Sequence, residues 1–78
     1  MTLIISLMRV HARPLKYLGE KVKKLRKKQS LTQEELAARI GVSPAYIGFI
    51  EQGQRNPSIK TADKIARVLG VKLSDLFD

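Results

Sequence analysis

The side chains with the clearest chemical potential in this sequence are basic. The 78 residues include 15 lysines and arginines against 7 aspartates and glutamates, for a formal net charge of +8 and a pI near 10.2. Such an excess on a short chain favours an anionic partner, either nucleic acid or a membrane surface. The densest run of cations comprises Lys21, Lys23, Lys24, Arg26, Lys27 and Lys28. Bound phosphates would offset the repulsion within this run.

Residue types that carry catalysis are scarce and poorly placed for it. His11 is the single histidine, and a lone histidine among basic residues is more often a surface residue than a ligand or a base. Glu34 and Glu35 are adjacent, so a helix turns them to different sides. The absence of cysteine excludes disulfides and thiolate metal sites. We therefore expect no enzyme, no metal and no cofactor, since phosphate-cradling loops and metal-ligand spacings are also missing.

The segment 33–52, QEELAARIGVSPAYIGFIEQ, has the pattern of a helix, a glycine turn and a second helix. Thr32 and Glu35 have the spacing of a capping box, which predicts where the first of these helices begins. Gly41 suits the left-handed backbone that ends a helix, and Ser43 before Pro44 predicts the start of the next one. Two short helices that cross steeply can push the second one outward, where it can enter a DNA groove.

Apolar residues at helical spacing predict the elements that hold this segment in place. Leu18, Val22 and Leu25 give a first helix one apolar stripe. Ser58 is predicted to cap a fourth helix, and the core face of that helix is predicted to be Ile59, Ala62, Ile65, Ala66 and Leu69. A last short turn follows, capped by Ser74. The pattern predicts an all-α domain of five short helices over residues 16–78.

Residues 1–15 are predicted to form a separate N-terminal arm, extended or disordered. The apolar run MTLIISLMRV is much shorter than the roughly 20 residues of a transmembrane helix. Basic residues follow this run, whereas in a signal peptide they precede it. Two interpretations stay open: a frayed tail with Met8 as the true start, or a strand that pairs with the same arm of a second subunit.

Residues at fixed spacing along most of the chain follow one family pattern. They are Leu31 to Ala37, Gly41 to Ser43, Tyr46 and Ile47, Ile50 and Glu51, Gly53, Arg55 to Ser58, and Leu69 to Val71. With these residues the chain, from about Leu18 to Phe77, resembles the Cro and phage-repressor family of helix-turn-helix domains, also called the xenobiotic-response-element family. The resemblance implies a compact five-helix, lambda-repressor-like fold and a double-stranded DNA partner.

The resemblance also implies which residues form the binding site. Base contacts are expected from the third helix, at Pro44, Ala45, Tyr46 and Phe49. Phosphate contacts are expected at Gln33, Ser43, Gln52, Arg55 and Asn56, and the amides at the start of the second helix add positive charge. Arg26 and Glu51 match a structural ion pair between the first and third helices. The dimer interface is expected at Val71, Leu73, Leu76 and Phe77.

The outer face of the third helix departs from the family, which often places Gln, Arg, Lys or Ser there. Pro44, Ala45, Gly48 and Phe49 offer few bidentate hydrogen bonds to a base edge. Ala45 and Phe49 could instead pack on thymine methyl groups. Gly48 either allows close approach to DNA or is simply tolerated in the helix. Phe49 also suits a protein partner, since exposed aromatic residues often anchor interfaces.

Two functions from different classes follow from these features. The first is a sequence-specific transcriptional regulator, expected to be a cytoplasmic, homodimeric repressor of a palindromic operator. Controller proteins of restriction–modification systems, phage repressors and antitoxins all fit this description. The second is a protein-interaction module on the same scaffold, which the basic first helix argues against. A membrane partner is not expected, because no amphipathic helix carries aromatic anchors.

Overall fold

The computed structural model describes residues 17–77, and the regular structure within that range is helical. Residues 17–28 belong to helix α1, and Gln33–Ile40, Pro44–Glu51 and Ile59–Leu69 form α2, α3 and α4. A 3-10 helix follows at Leu73–Leu76. The all-α prediction is confirmed. The predicted count of five helices is wrong for the described range, because its last segment is a four-residue 3-10 turn, the short form in which this geometry usually occurs.

The predicted N-terminal arm, residues 1–15, lies outside the described residues. The strand interpretation, the alternative start at Met8 and the domain boundary before residue 16 therefore stay predictions. Among the helices that the structure describes, none is long and apolar enough to cross a lipid bilayer.

Side-chain caps and one glycine set the ends of α2 and the beginning of α3. The Thr32 hydroxyl accepts a hydrogen bond from the Glu35 backbone N–H at 3.0 Å, and the Glu35 carboxylate accepts one from the Thr32 N–H at 3.0 Å. Gly41 ends α2 with a φ of 76°, a left-handed conformation that strains residues with a Cβ. The Ser43 hydroxyl then accepts from the Tyr46 N–H at 3.1 Å and starts α3. The predicted capping box, glycine turn and N-cap are all present.

One hydrophobic core joins the described helices. Its largest fully buried side chains are Leu18, Val22, Leu36, Ile47, Ile50, Ile65, Leu69 and Leu76. Helix α2 packs against both α3 and α4. The placement of Ile59 in this core was wrong, because its side chain is 66% exposed. Ile59 is the first residue of α4, and helical side chains lean toward the N-terminus, so it projects beyond the start of the helix.

Gly19 brings the backbone of α1 against the end of α3. A Cβ at this position would lie 2.6 Å from the Glu51 carbonyl oxygen, which is closer than real Cβ atoms come to their neighbours. Glycine therefore permits a helix contact that any other residue would force apart. Arg26 lies two turns further along α1 and reaches the Glu51 side chain from the same helix.

Candidate nucleic-acid interface

Helix α3 has one buried and one exposed face. Ile47 and Ile50 are fully buried and hold it to the core. Pro44, Ala45 and Phe49 are exposed, and 42% of the Phe49 side chain is accessible. Ala45 and Phe49 are four residues apart, so they lie next to each other on the outer face. Only three residues separate α2 from α3, and Gln33 at the start of α2 lies beside Gly48 of α3.

Tyr46, the fourth predicted base contact, lies at the edge of this face. It is half-buried and packs against the hydrophobic core. Its phenol hydroxyl can both donate and accept hydrogen bonds. Together with the exposed alanine and phenylalanine, the tyrosine makes a surface that suits thymine methyl groups better than guanine edges.

Arg26 and Glu51 form the ion pair that the family resemblance implied. Arg26 Nε donates to Glu51 Oε2 at 2.6 Å, and Arg26 Nη2 donates to Glu51 Oε1 at 3.0 Å. Arg26 Nη1 also donates to the Leu31 carbonyl oxygen at 2.7 Å. Both charged residues are buried, each only 7% exposed. The hydrogen bond to Glu51 raises the pKa of Arg26 despite the opposing effect of burial, so the guanidinium stays charged. One side chain thus ties α1 to the α1–α2 loop and to the end of α3.

Gln33 lies beside this ion pair at the start of α2. Its Nε2 donates to Glu51 Oε1 at 3.0 Å, and the residue is half-buried. Gly48 lies opposite it on α3, where a Cβ would sit 3.7 Å from Gln33 Nε2, an ordinary contact distance. Gln33 is predicted to contact a phosphate, and the sequence gives no sign of its hydrogen bond to Glu51, because the two residues lie on different helices that no periodicity relates.

The other predicted phosphate contacts are exposed at the two ends of α3. Ser43 is at the N-terminal end, and Gln52, Arg55 and Asn56 follow the C-terminal end. The Ser43 oxygen accepts the capping hydrogen bond, which leaves its own O–H free to donate to an outside acceptor. Gly53, with a φ of 76°, turns the chain between Gln52 and Arg55. The structure therefore leaves donors accessible at both ends of the exposed α3 face.

The lysines of α1 add further positive charge on the surface. Lys21 is half-buried, and Lys23, Lys24, Lys27 and Lys28 are exposed. Arg26 is the exception in this run, because its charge is neutralised inside the protein. The exposed lysines can attract an anionic polymer at long range and in a salt-dependent way.

The predicted dimer residues differ in their accessibility. Phe77 is 47% exposed, and Val71 and Leu73 are half-buried. Leu76 is fully buried and packs in the core of a single chain. Its placement at a dimer interface is therefore corrected, because its side chain has no surface left to offer a second subunit.

Comparisons with known proteins agree with this geometry. The helix-turn-helix family matches residues 22–76. An HTH-type transcriptional regulator of Archaeoglobus fulgidus is 51% identical over 57 residues, which cover 73% of this chain and 80% of that protein. The solved structure of the restriction–modification controller protein C.AhdI from Aeromonas hydrophila is 36% identical, with a TM-score of 0.77, over 81% of this chain and 96% of the other.

SinR, solved in complex with DNA as a master regulator for biofilm formation, has a TM-score of 0.74 and 35% identity over 78% of this chain and 98% of that one. SinR of Bacillus subtilis is also similar in sequence, 37% identical over 78% of this chain and 56% of the full SinR protein. The chain therefore belongs to the Cro/C1-type helix-turn-helix family and is a DNA-binding transcriptional regulator. The resemblance inferred from the sequence is confirmed.

Proposed function

We propose that the protein is a sequence-specific repressor, a binding protein without catalytic activity, that places α3 in the major groove of double-stranded DNA. The observation that carries this proposal is the division of α3 into two faces. Ile47 and Ile50 hold its inner face in the core, while Pro44, Ala45 and Phe49 are exposed on its outer face. A helix exposed in this way, with hydrogen-bond donors at both ends, fits the groove and the phosphates that border it.

Base recognition in this proposal depends mainly on apolar contact. Ala45 and Phe49 pack on thymine methyl groups, Pro44 contacts the same groove, and Tyr46 adds a hydrogen bond or an edge contact. None of these four side chains can form the bidentate pair that arginine makes with guanine. We therefore expect an operator whose half-sites contain thymine-rich steps under the middle of α3.

Phosphate contacts fix the position of α3 without reading sequence. Gln33 and Ser43 would donate at the N-terminal side of the helix pair, where the free amides of α2 and α3 also carry partial positive charge. Gln52, Arg55 and Asn56 would donate at the far end. The exposed lysines of α1 add electrostatic attraction for the DNA backbone to these phosphate contacts.

A homodimer would give the two-fold symmetry that a palindromic operator needs. Val71, Leu73 and Phe77 supply accessible apolar surface at the C-terminal end. Two α3 helices would then enter major grooves about 34 Å apart on one side of the duplex. We place this regulator in the cytoplasm, where its DNA target would be accessible. Its likeness to a restriction–modification controller supports a similar regulatory setting.

Selection from random duplex DNA, followed by titration of the enriched site at two salt concentrations, tests the proposal. We expect a palindromic winner that binds at least about a hundredfold tighter than random DNA. Binding should also weaken by orders of magnitude between about 50 and 200 mM salt. Tight, salt-sensitive binding without an enriched sequence would contradict specific recognition. An enriched site without two-fold symmetry would contradict the dimer.

The exposure of Phe49 favours one second candidate, a protein-interaction module that uses the same helix. An apolar protein contact would respond weakly to salt, unlike contacts to phosphates. If the protein binds no duplex at low salt but captures a partner that the variant Phe49→Ala loses, this second function replaces the first.

A further inference from the structure

The buried ion pair has a second role, which depends on the hydrogen bond between Gln33 and Glu51. Glu51 Oε1 accepts from Gln33 Nε2 at 3.0 Å while it also accepts from Arg26 Nη2 at 3.0 Å. An ionised carboxylate offers acceptors only, so the Gln33 amide must turn its nitrogen toward Glu51. The reverse orientation would place the amide oxygen against a negatively charged oxygen. The chemistry of Glu51 therefore fixes which way the Gln33 amide points.

We propose that Arg26 and Glu51 act as positioning residues for DNA binding, because they hold the Gln33 amide with one N–H bonded inward and the other free for a phosphate. This inference rests on the proposed function, in which Gln33 contacts the DNA backbone. The Nε2 group has two N–H donors, and Glu51 uses one of them. The second is a donor that the fold orients before DNA arrives, which lowers the entropic cost of the contact.

The ion pair makes this arrangement rigid. Arg26 holds both oxygens of the Glu51 carboxylate, at 2.6 and 3.0 Å, so the carboxylate cannot rotate away from Gln33. Gly48 lies opposite the Gln33 side chain on α3, and even a Cβ there would make only an ordinary contact with Gln33 Nε2 at 3.7 Å, so nothing on α3 pushes the amide aside. The acceptor on α3 and its anchor on α1 are thus both fixed before DNA binds.

The variant Glu51→Gln tests the proposal because it keeps the shape of the side chain and changes its acceptors. The amide of the new glutamine has one oxygen, which will accept the short hydrogen bond from Arg26 Nε. The new NH2 group then faces both Arg26 Nη2 and Gln33 Nε2, donor against donor, and the Gln33 amide must turn. A direct effect on DNA affinity should therefore pass through Gln33.

A double-mutant cycle with Gln33→Met measures this coupling on the full chain and the selected operator. Gln33→Met alone should weaken binding about tenfold, the loss of one hydrogen bond to a charged group. Glu51→Gln should weaken it by a similar factor in the parent and by less than twofold in the Gln33→Met background. Equal losses in both backgrounds would overturn the proposal and leave the pair a purely structural role.

Two controls separate positioning from stability. Ile65→Val destabilises the fully buried core away from Gln33 and should leave the operator affinity unchanged while the protein is folded. If Glu51→Gln does not fold, the exchange rates of the Gln33 side-chain amide protons in the parent protein test the proposal instead. NMR should show one of them exchanging at least about tenfold more slowly than those of the exposed Gln54. Equal exchange at both glutamines would overturn the proposal whether or not the protein binds DNA.

Discussion

Alanine substitutions at Gly19 and Gly48 should have opposite effects on stability, although both glycines lie inside helices. Alanine is intrinsically better than glycine in a helix interior by about 1 kcal/mol. At Gly48 the new Cβ would meet only the Gln33 side chain at 3.7 Å, so this gain should be kept. At Gly19 the Cβ would sit 2.6 Å from the Glu51 carbonyl oxygen, which belongs to backbone and cannot turn aside.

The expected magnitudes follow from these distances. Forcing extra volume into a packed contact costs about 1–3 kcal/mol and sometimes more. A cost of about 3 kcal/mol at Gly19, less the helical gain, leaves Gly19→Ala destabilised by roughly 2 kcal/mol. Gly48→Ala should be stabilised by about 0.5–1 kcal/mol. The Tm of a domain of this size shifts by roughly 4–8 °C per kcal/mol. The Tm of Gly19→Ala should therefore lie clearly below that of the parent protein, and the Tm of Gly48→Ala above it.

Urea unfolding of the parent and both variants, followed by circular dichroism, measures the difference. The two substitutions are chemically identical, so each serves as the matched control for the other. A Gly19→Ala protein as stable as the parent would refute the close contact between α1 and α3. A loss of stability in Gly48→Ala would refute the ordinary contact expected between the new Cβ and the Gln33 side chain.

Three further predictions concern charge and accessibility. Arg26→Met should destabilise the fold by about 3–5 kcal/mol in urea unfolding, because it leaves the buried Glu51 carboxylate without its charged partner, and adding Glu51→Met should recover part of the loss. Backbone and side-chain hydrogen bonds from its N-cap lower the pKa of Glu35, so its contribution to stability is complete above about pH 4.3 and disappears as the pH falls through the lower folded value. Unfolding from pH 6 to 2.5 should therefore show a weaker acid dependence in Glu35→Gln than in the parent. Phe77→Asp should lower the dimer fraction in sedimentation with little change in monomer stability, whereas Leu76→Ala should cost about 2–5 kcal/mol in unfolding. A dimer unaffected by Phe77→Asp would remove the C-terminal interface.

Local signals in the sequence were sufficient to predict where the helices begin and end. The side chains of Thr32 and Ser43 accept hydrogen bonds from backbone N–H groups a few residues away, and Gly41 acts through its own backbone conformation. Their effect therefore does not depend on the rest of the fold. The Arg26–Glu51 pair was found through a family resemblance, since nothing local indicates that these two charges meet. The apolar period of the helices correctly indicated most of the core, including Leu36 and Ile47.

The errors and omissions arose where the outcome depends on the ends of helices or on contacts between them. Ile59 fits the helical period, but in the first turn of α4 it is not covered by any other element in the part of the chain that the structure describes. Leu76 is apolar near the C-terminal end in the same way as Phe77, and only the packed structure separates the buried residue from the exposed one. The Gln33–Glu51 bond and the tight fit at Gly19 require the relative positions of two helices, which hydrophobic spacing does not specify.

The separation of the two faces of α3 has a consequence for how new specificities can arise. Ile47, Ile50 and Glu51 secure the helix from inside, and the outward positions Ala45 and Phe49 contribute little to that attachment. Surface substitutions away from caps and cores usually change stability by less than about 0.5 kcal/mol. Substitutions at these outward positions, in evolution or in a laboratory library, should therefore leave the protein folded. Regulators with different DNA specificities could therefore arise from one fold through substitutions at a few positions. Selection would then act on which promoter each regulator binds.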